Sequence, residues 1–321
     1  MIEGLTGRAS IAKSRLPLSA LDLEQDFSRA RLGFAETVRA YYQLTKPNLS
    51  LLVVITGVLG YFLRAPMIDP VLLVHLIVGL FATSGGACAT NMVIERDLDA
   101  KMRRTQGRPL PSGRIKPRPA MIFALGLFTL GFVELAVFTH LATALLAFAT
   151  LILYAVVYTP MKKLGPVAIA IGAIPGAIPP VMGWAAVDGS MGAVAWALFA
   201  LLFVWQFPHF LALAWMYRED YARGGFHFLA PDDVTGKKTA RQMLVGSTLL
   251  VPVSLALPLL GAANLLYAGG ATILGLWFQA RTARMWTQPG MASARGTFFA
   301  SIIYLPLLLA LIVVDRWVFG P

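Results

Sequence analysis

Asn91, Glu95 and Asp99 stand at i, i+4 and i+8 of one segment. If the apolar run before them continues as a helix, all three side chains share one stripe. Two carboxylates one turn apart repel each other unless a cation sits between them. Hard oxygen ligands of this kind suit Mg²⁺, which takes one or two carboxylates and completes its shell with phosphate oxygens and water. Arg103, Arg104 and Arg108 follow at once, and guanidinium forks match phosphate oxygens. Acids and arginines in so short a stretch point to a Mg²⁺-diphosphate site. The competing reading is a solvated, charge-mixed loop, and the single-stripe spacing at a helix end favours the site.

Three further segments carry chemistry. Tyr154 and then Tyr158-Thr159-Pro160 lead to Lys162 and Lys163 at the end of an apolar run; phosphate contact and simple charge anchoring remain open for this pair of lysines. From Ile169 to Trp184 the chain holds Gly172, Pro175, Gly176, Pro179, Pro180 and Gly183. A straight helix is impossible there, and broken helices at membrane depth occur where they line a cavity or are buried in protein. The run Trp205-Gln206-Phe207-Pro208-His209-Phe210 places an ionisable ring inside an apolar span. Such a residue is a functional candidate; the alternative is a neutral, hydrogen-bonded histidine packed in a bundle. The rings of Trp205, Phe207, Phe210 and Trp215 either pack or offer π faces to a cation. For Glu134 and His75, also within spans, interhelical hydrogen bonding is expected. His140 falls at an outer turn, and Cys88 lies in a small-residue run that suggests packing.

These residues must be positioned by membrane-spanning helices. The chain has 321 residues, 57% hydrophobic and 13% charged, with mean hydropathy +0.69. A soluble domain carries roughly 25% charged residues, so a soluble globular enzyme is excluded, as is a disordered chain. The single cysteine excludes an internal disulfide and a cysteine metal cluster. A span needs about 20 mostly apolar residues. Nine candidates satisfy this, near 48–64, 70–93, 119–139, 140–158, 164–187, 191–216, 242–262, 263–281 and 297–317, so the expected fold is an all-α polytopic bundle. Short separations make neighbours antiparallel. Counting between spans, 25 Lys and Arg fall on the amino-terminal side and two, Arg64 and Arg316, on the other. The positive-inside rule then puts the amino terminus and the acidic segments in the cytoplasm and the carboxyl terminus outside. The net charge of +11 is thereby assigned to topology and an anionic ligand, with no nucleic-acid partner. Acids play little part in topology, so Glu95, Asp97, Asp99, Glu219, Asp220, Asp232 and Asp233 in those loops need another explanation. Phe34, Val38, Tyr41 and Tyr42 have helical apolar spacing and predict a short helix on the membrane surface, within an amino-terminal segment 1–45 ahead of a membrane domain 46–321. A disordered tail is expected over residues 1 to about 30.

From about residue 40 to 315 the chain resembles the UbiA superfamily of intramembrane prenyltransferases. The resembling pieces are Leu44-Thr45-Lys46-Pro47, the Asn91–Pro109 segment, Tyr158-Thr159 with Lys162, the run from Pro175 to Trp184, and Trp205 to Phe210 with Asp220-Tyr221. The Pro-His-Phe motif and the Gly-Ala-x-Pro-Pro-x-x-Gly-Trp run are similar to the branch that acts on heme. The resemblance implies a nine-helix bundle around a cavity whose mouth binds an isoprenyl diphosphate through Mg²⁺. It places the metal and catalytic positions at Asn91, Glu95, Asp99 and Asp220, with Glu219 and Asp220 as the second acidic site. Further substrate contacts are implied at Arg103, Arg104, Arg108, Tyr158, Lys162, Lys163, Trp205 and Tyr217. The family usually carries Asp where this chain has Glu95 and often Arg where it has Asn48. The stretch Gly224 to Pro231 departs from the usual Ala-Gly-x-Pro-Met-Leu-Pro and is expected to cap the site.

The activity so implied is transfer of farnesyl from farnesyl diphosphate to a vinyl group of heme b, giving heme O, with His209 facing heme as an iron ligand or as the group that orders a water. The implied partners are the two substrates, the lipid of a bacterial inner membrane, and heme A synthase or oxidase assembly factors. Two rivals share parts of the pattern. A prenyltransferase for an aromatic acceptor, such as a quinone precursor, shares the first acidic motif. A secondary transporter shares broken helices and intramembrane charge, but here the acids and arginines gather at one face and not at the midplane.

Overall fold

The computed structural model describes residues 33–320, and those residues are helical with connecting turns. The expected tail before residue 30 lies outside them. The elements are α1 (Phe34–Leu44), α2 (Pro47–Arg64), α3 (Pro70–Asp99), α4 (Pro117–Phe138), α5 (Leu141–Met161), α6 (Val167–Asp188), α7 (Ala193–Met216), the short α8 (Arg218–Arg223), α9 (Lys237–Leu259), α10 (Leu265–Thr287) and α11 (Met291–Phe319). Helix starts follow local chemistry. Pro47, Pro70 and Pro117 occupy the first position of their helices, where a missing N–H costs nothing. The Asp69 carboxylate accepts from the N–H groups of Val71 and Leu72 at 2.9 and 3.2 Å, and His140 Nδ1 accepts from Ala142 N–H at 3.1 Å.

Among the described residues nine long helical rods match the nine expected spans, with one qualification. Eight are long and apolar enough to cross a membrane among the described residues. The ninth, α10, has the length at 23 residues but ends in Arg281 and Arg284, which dilute its apolarity. The protein is an integral membrane protein, and rows of exposed apolar side chains such as Ile122, Leu130 and Val137 on α4 present its surface to lipid.

Successive rods pack as neighbours: α3 on α4, α9 on α10, α10 on α11. α2 lies against the second half of α6, and α7 packs on α6, α9 and α11. Helices α2, α3, α5, α6 and α7 enclose a cavity, while α9, α10 and α11 stand behind α7. Two helices are irregular where they face that cavity. α5 widens into π-helical turns over Ile152–Tyr158, and α6 breaks at Ile178 into Val167–Ala177 and Pro179–Asp188. π-turns and proline breaks both interrupt the regular hydrogen-bond ladder. The expected bond between His75 and Glu134 is present at 2.7 Å and ties α3 to α4. The helix predicted from Phe34, Val38, Tyr41 and Tyr42 is present as α1; Phe34, Val38 and Tyr42 are exposed, and Tyr41 turns inward onto Phe123.

The α2–α6 contact is backbone to backbone. A Cβ on Gly60 would overlap the Pro180 carbonyl, and one on Gly183 would overlap the Gly57 carbonyl. Small residues permit this close approach in membranes. Gly60→Ala is expected to destabilise the bundle by about 1–3 kcal/mol, read as a lower midpoint in thermal unfolding of the detergent-solubilised chain. An unchanged midpoint would refute the close-packing account.

Candidate functional site

The cavity measures about 420 Å³. Its middle is apolar, with Val53 of α2, Ala147 of α5, and Pro175, Pro179 and Met182 of α6. Its polar end is built from helix termini on one side of the bundle. Lys46 precedes α2, Glu95 and Asp99 end α3, and Lys162 follows α5, with Arg104 and Arg108 from the α3–α4 connection.

α3 continues unbroken to Asp99, so Asn91, Glu95 and Asp99 do form one stripe, and all three are buried. Each is held by a different segment. Lys46 Nζ and the Tyr154 hydroxyl donate to Asn91 Oδ1 at 3.0 and 3.2 Å, and Asn91 Nδ2 donates to Thr159 Oγ1 at 3.0 Å. Lys162 Nζ donates to Glu95 Oε1 at 2.5 Å. Arg108 donates to Asp99 Oδ2 at 2.6 Å. Burial lowers the Lys162 pKa and the neighbouring Glu95 carboxylate opposes that shift. One oxygen of each carboxylate is thus cation-paired while Glu95 Oε2 and Asp99 Oδ1 have no protein partner among the described residues. Hard oxygens in a cation-rich pocket fit a divalent ion that completes its shell with phosphate oxygens. Among the described residues no group of three or more His, Cys, Asp or Glu converges, so the protein's own donors would supply only part of that shell.

Other expected site residues divide. Arg104, Arg108, Tyr158, Lys162 and His209 line the cavity. Trp205 does not; it is buried beside the wall, and its Nε1 donates to the Ser301 carbonyl at 3.0 Å. Lys163 is exposed. Arg103, Tyr217 and Glu219 border a second depression, with Glu219 exposed. Asp220 is occupied otherwise than as a cavity-wall acid. It accepts the backbone N–H groups of Arg103 and Arg104 at 2.8 and 3.1 Å and the Arg223 guanidinium at 2.5 Å. Its carboxylate clamps the arginine-bearing turn to α8. Burial pushes its pKa up, but the bonds from Arg223, Arg104 and Arg103 outweigh this and hold it below the usual range. Asp232 and Asp233 are likewise explained by structure. Asp232 pairs with Lys238, and Asp233 accepts from Lys238 N–H at 3.1 Å and from Thr239 N–H and Oγ1 at 2.7 and 2.6 Å, capping α9.

Several wall residues stood in segments that the sequence singles out, but with no role of their own. Lys46 adopts φ +46°, which is the one left-handed non-glycine backbone among the described residues. That conformation costs roughly 1–2 kcal/mol and aims Nζ at Asn91. Tyr154 stacks on Tyr158 at 5.9 Å within the π-turns. Gln206 donates to the Ala173 and Leu202 carbonyls at 3.0 and 3.1 Å. The atypical 224–231 stretch covers the site as expected: Phe226 and Phe228 line it, and His227 N–H donates to the Lys162 carbonyl at 3.0 Å.

The fold and site together define an intramembrane enzyme with a charged mouth and an apolar chamber, and known proteins of this build exist. The UbiA prenyltransferase family model matches residues 53–303. A protoheme IX farnesyltransferase from Solibacter usitatus is 43% identical over 289 residues, covering 87% of this chain and 99% of its own. One from Koribacter versatilis is 40% identical over 304 residues, covering 91% and 98%. A solved structure of digeranylgeranylglyceryl phosphate synthase has the same fold at 20% identity, with TM-score 0.73 over 87% of this chain and 98% of that chain. So has a UbiA homolog from Archaeoglobus fulgidus bound to DMAPP and Mg²⁺, at 17% identity, TM-score 0.64, over 85% and 99%. The chain belongs to the UbiA prenyltransferase family and is a prenyltransferase.

The clamps make a pH prediction. Asp220 and Asp233 titrate below their unfolded value. Their contribution is therefore complete above the unfolded pKa of about 3.9 and is lost as pH falls through the folded value. Denaturant unfolding between pH 6 and roughly pH 3 should show stability falling at the acid end, with a smaller fall in Asp220→Asn and Asp233→Asn. An acid-end slope equal to wild type in both variants would remove the clamp assignment.

Proposed function

We propose that this chain transfers the farnesyl group of farnesyl diphosphate to a vinyl group of protoheme IX, giving heme O. The carrying observation is the buried stripe Asn91, Glu95 and Asp99, ringed by Lys46, Lys162 and Arg108, at the mouth of an apolar cavity that holds His209. The names of the relatives support the choice of donor and acceptor. Asn91, Glu95 and Asp99 would hold Mg²⁺, which supplies neutralisation of charge on the diphosphate; Asp220 acts beside them by fixing the arginine turn.

The farnesyl C1–O bond breaks, and its electron pair leaves with the diphosphate oxygen. Arg104, Arg108, Lys46 and Lys162 face the oxygens on which that charge develops. The allylic cation is left among the rings of Tyr154, Tyr158, Phe210 and Phe226, whose faces stabilise positive charge. The chamber keeps out bulk water. The terminal vinyl carbon attacks C1 and forms the new C–C bond, leaving the positive charge on the adjacent carbon. A water adds there and loses a proton, which yields the hydroxyethylfarnesyl side chain. His209 faces the acceptor. The 25-to-2 distribution of basic residues supports an orientation with the amino terminus and charged mouth on the cytoplasmic side and the carboxyl terminus outside, in what we take to be a bacterial cytoplasmic membrane. α1 lies on the membrane surface through Phe34, Val38 and Tyr42.

The test incubates membranes containing the full chain with Mg²⁺, farnesyl diphosphate and either heme b or 4-hydroxybenzoate, and resolves products by mass. Heme O is expected from the first and no product from the second; the reverse would assign an aromatic acceptor. Asp99→Ala should lower heme O formation about a hundredfold or more with helical circular dichroism retained. Normal turnover by that variant would remove the metal-diphosphate role of the stripe.

A further inference from the structure

His209 has two ring nitrogens, and the hydrogen bonds around it decide which one is free. The Ser301 hydroxyl, fully buried on α11, donates to the Phe298 carbonyl at 2.6 Å. A carbonyl oxygen only accepts, and a hydroxyl has one hydrogen to give. Ser301 Oγ therefore meets His209 Nδ1, 2.7 Å away, with a lone pair. Nδ1 must carry the proton and donate it. In a neutral imidazole the other nitrogen is then a bare acceptor. A charged ring would need a counter-charge at this depth, and the one histidine–carboxylate pair among the described residues is His75–Glu134. Nε2 has no protein partner among the described residues, and His209 lines the cavity.

The ring is also fixed in place. Trp205 stacks on it at 4.8 Å and Phe298 at 5.0 Å, with Phe210 edge-on at 5.3 Å. Trp205 Nε1 donates to the Ser301 carbonyl, so the residue whose hydroxyl accepts the His209 Nδ1–H bond is tied a second time to α7. Ser301 itself stands behind the wall and does not line the cavity.

We propose that Ser301 is a positioning residue: it holds His209 as the Nδ1–H tautomer and presents the Nε2 lone pair to the cavity as an axial ligand for heme iron. The tautomer rests on the structure alone; the ligand role rests on the heme reading above. Histidines that bind iron or zinc commonly give their other N–H to such an outer partner, whose loss costs tenfold to a hundredfold in affinity.

The experiment uses the full chain in lipid nanodiscs without farnesyl diphosphate. Solid-state NMR of ¹⁵N-histidine-labelled protein, with His209→Gln to assign the signals, is expected to show Nδ1 protonated and Nε2 bare. A protonated Nε2 would overturn the proposal whatever the protein does with heme. Heme b is then titrated and followed by Soret absorbance. Wild type should give a nitrogen-ligated spectrum. Ser301→Ala should mix the tautomers and weaken heme binding about tenfold, with farnesyl diphosphate binding unchanged, and Ser301→Thr should restore both signals. Wild-type heme affinity in Ser301→Ala overturns the positioning role. If wild type binds no heme b while Nδ1 is protonated, the heme reading and the ligand role fall and the tautomer assignment stands. Should Ser301→Ala fail to assemble, the wild-type NMR spectrum still decides.

Discussion

Carboxylates buried where a membrane bundle meets water cannot be left alone, and the rest of this site follows from that constraint. Moving one such ion out of water costs several kcal/mol even after relaxation, and removing one partner of a buried pair costs about 3–5 kcal/mol. Glu95 and Asp99 are 4% and 1% exposed. Lys162, at the end of α5, answers the first, and Arg108, in the α3–α4 connection, answers the second. Asn91 gathers Lys46 from before α2 and Tyr154 and Thr159 from α5. Three segments far apart in sequence are therefore drawn to one stripe of α3. The arrangement is also poised: the cations hold the acids now and are already in place for an anion.

The chamber beneath the charged mouth depends on backbone irregularity. A regular α5 would not carry Tyr154 and Tyr158 around through π-turns, and an unbroken α6 would lack its proline bend at Ile178. Both irregular helices need support from outside. Gln206 of α7 donates to the Ala173 carbonyl in the broken helix, and Gly176 leaves room for that amide, since a Cβ there would collide with it. On the opposite side Gly57, Gly60 and Gly183 let α2 lie directly on α6. The cavity is held open by close packing around it, not by loose packing within it.

Much of this was legible in the sequence because it depends on local pattern. Apolar run length gave the rods, proline and glycine density located the broken helix, and i, i+4, i+8 spacing put Asn91, Glu95 and Asp99 on one stripe. The His75–Glu134 bond and the cavity position of His209 followed from the cost of intramembrane polarity. What was not legible depends on long-range partners. Asp220 and Glu219 are adjacent acids, yet one is buried against two backbone N–H groups 116 and 117 residues away and the other is exposed. Nothing in their own segment distinguishes them. Lys162 and Lys163 split in the same way, one buried on Glu95 and one in solvent. Tyr154 and Lys46 stood in motif segments without a role of their own: a π-turn has no sequence signature that would aim the tyrosine, and a left-handed lysine is set by what it reaches, not by its neighbours. α10 was counted with the other spans, and it falls short of them in apolarity because Arg281 and Arg284 stand in its second half.

Glu95 shows how local identity and long-range geometry meet. The resemblance leads one to expect the shorter Asp at this position. Here the carboxylate must reach Lys162 on a different helix, and it does so at 2.5 Å while its second oxygen stays without a protein partner. An aspartate would set its carboxylate one methylene nearer to α3 and farther from that ammonium. Asp99, whose partner Arg108 follows only nine residues later and brings a long side chain of its own, closes its pair at 2.6 Å with the shorter arm. The choice of acid at each point of the stripe thus follows the distance to the cation that answers it. The free oxygens of the two acids then remain for a ligand, whatever the lengths of the arms that hold the others.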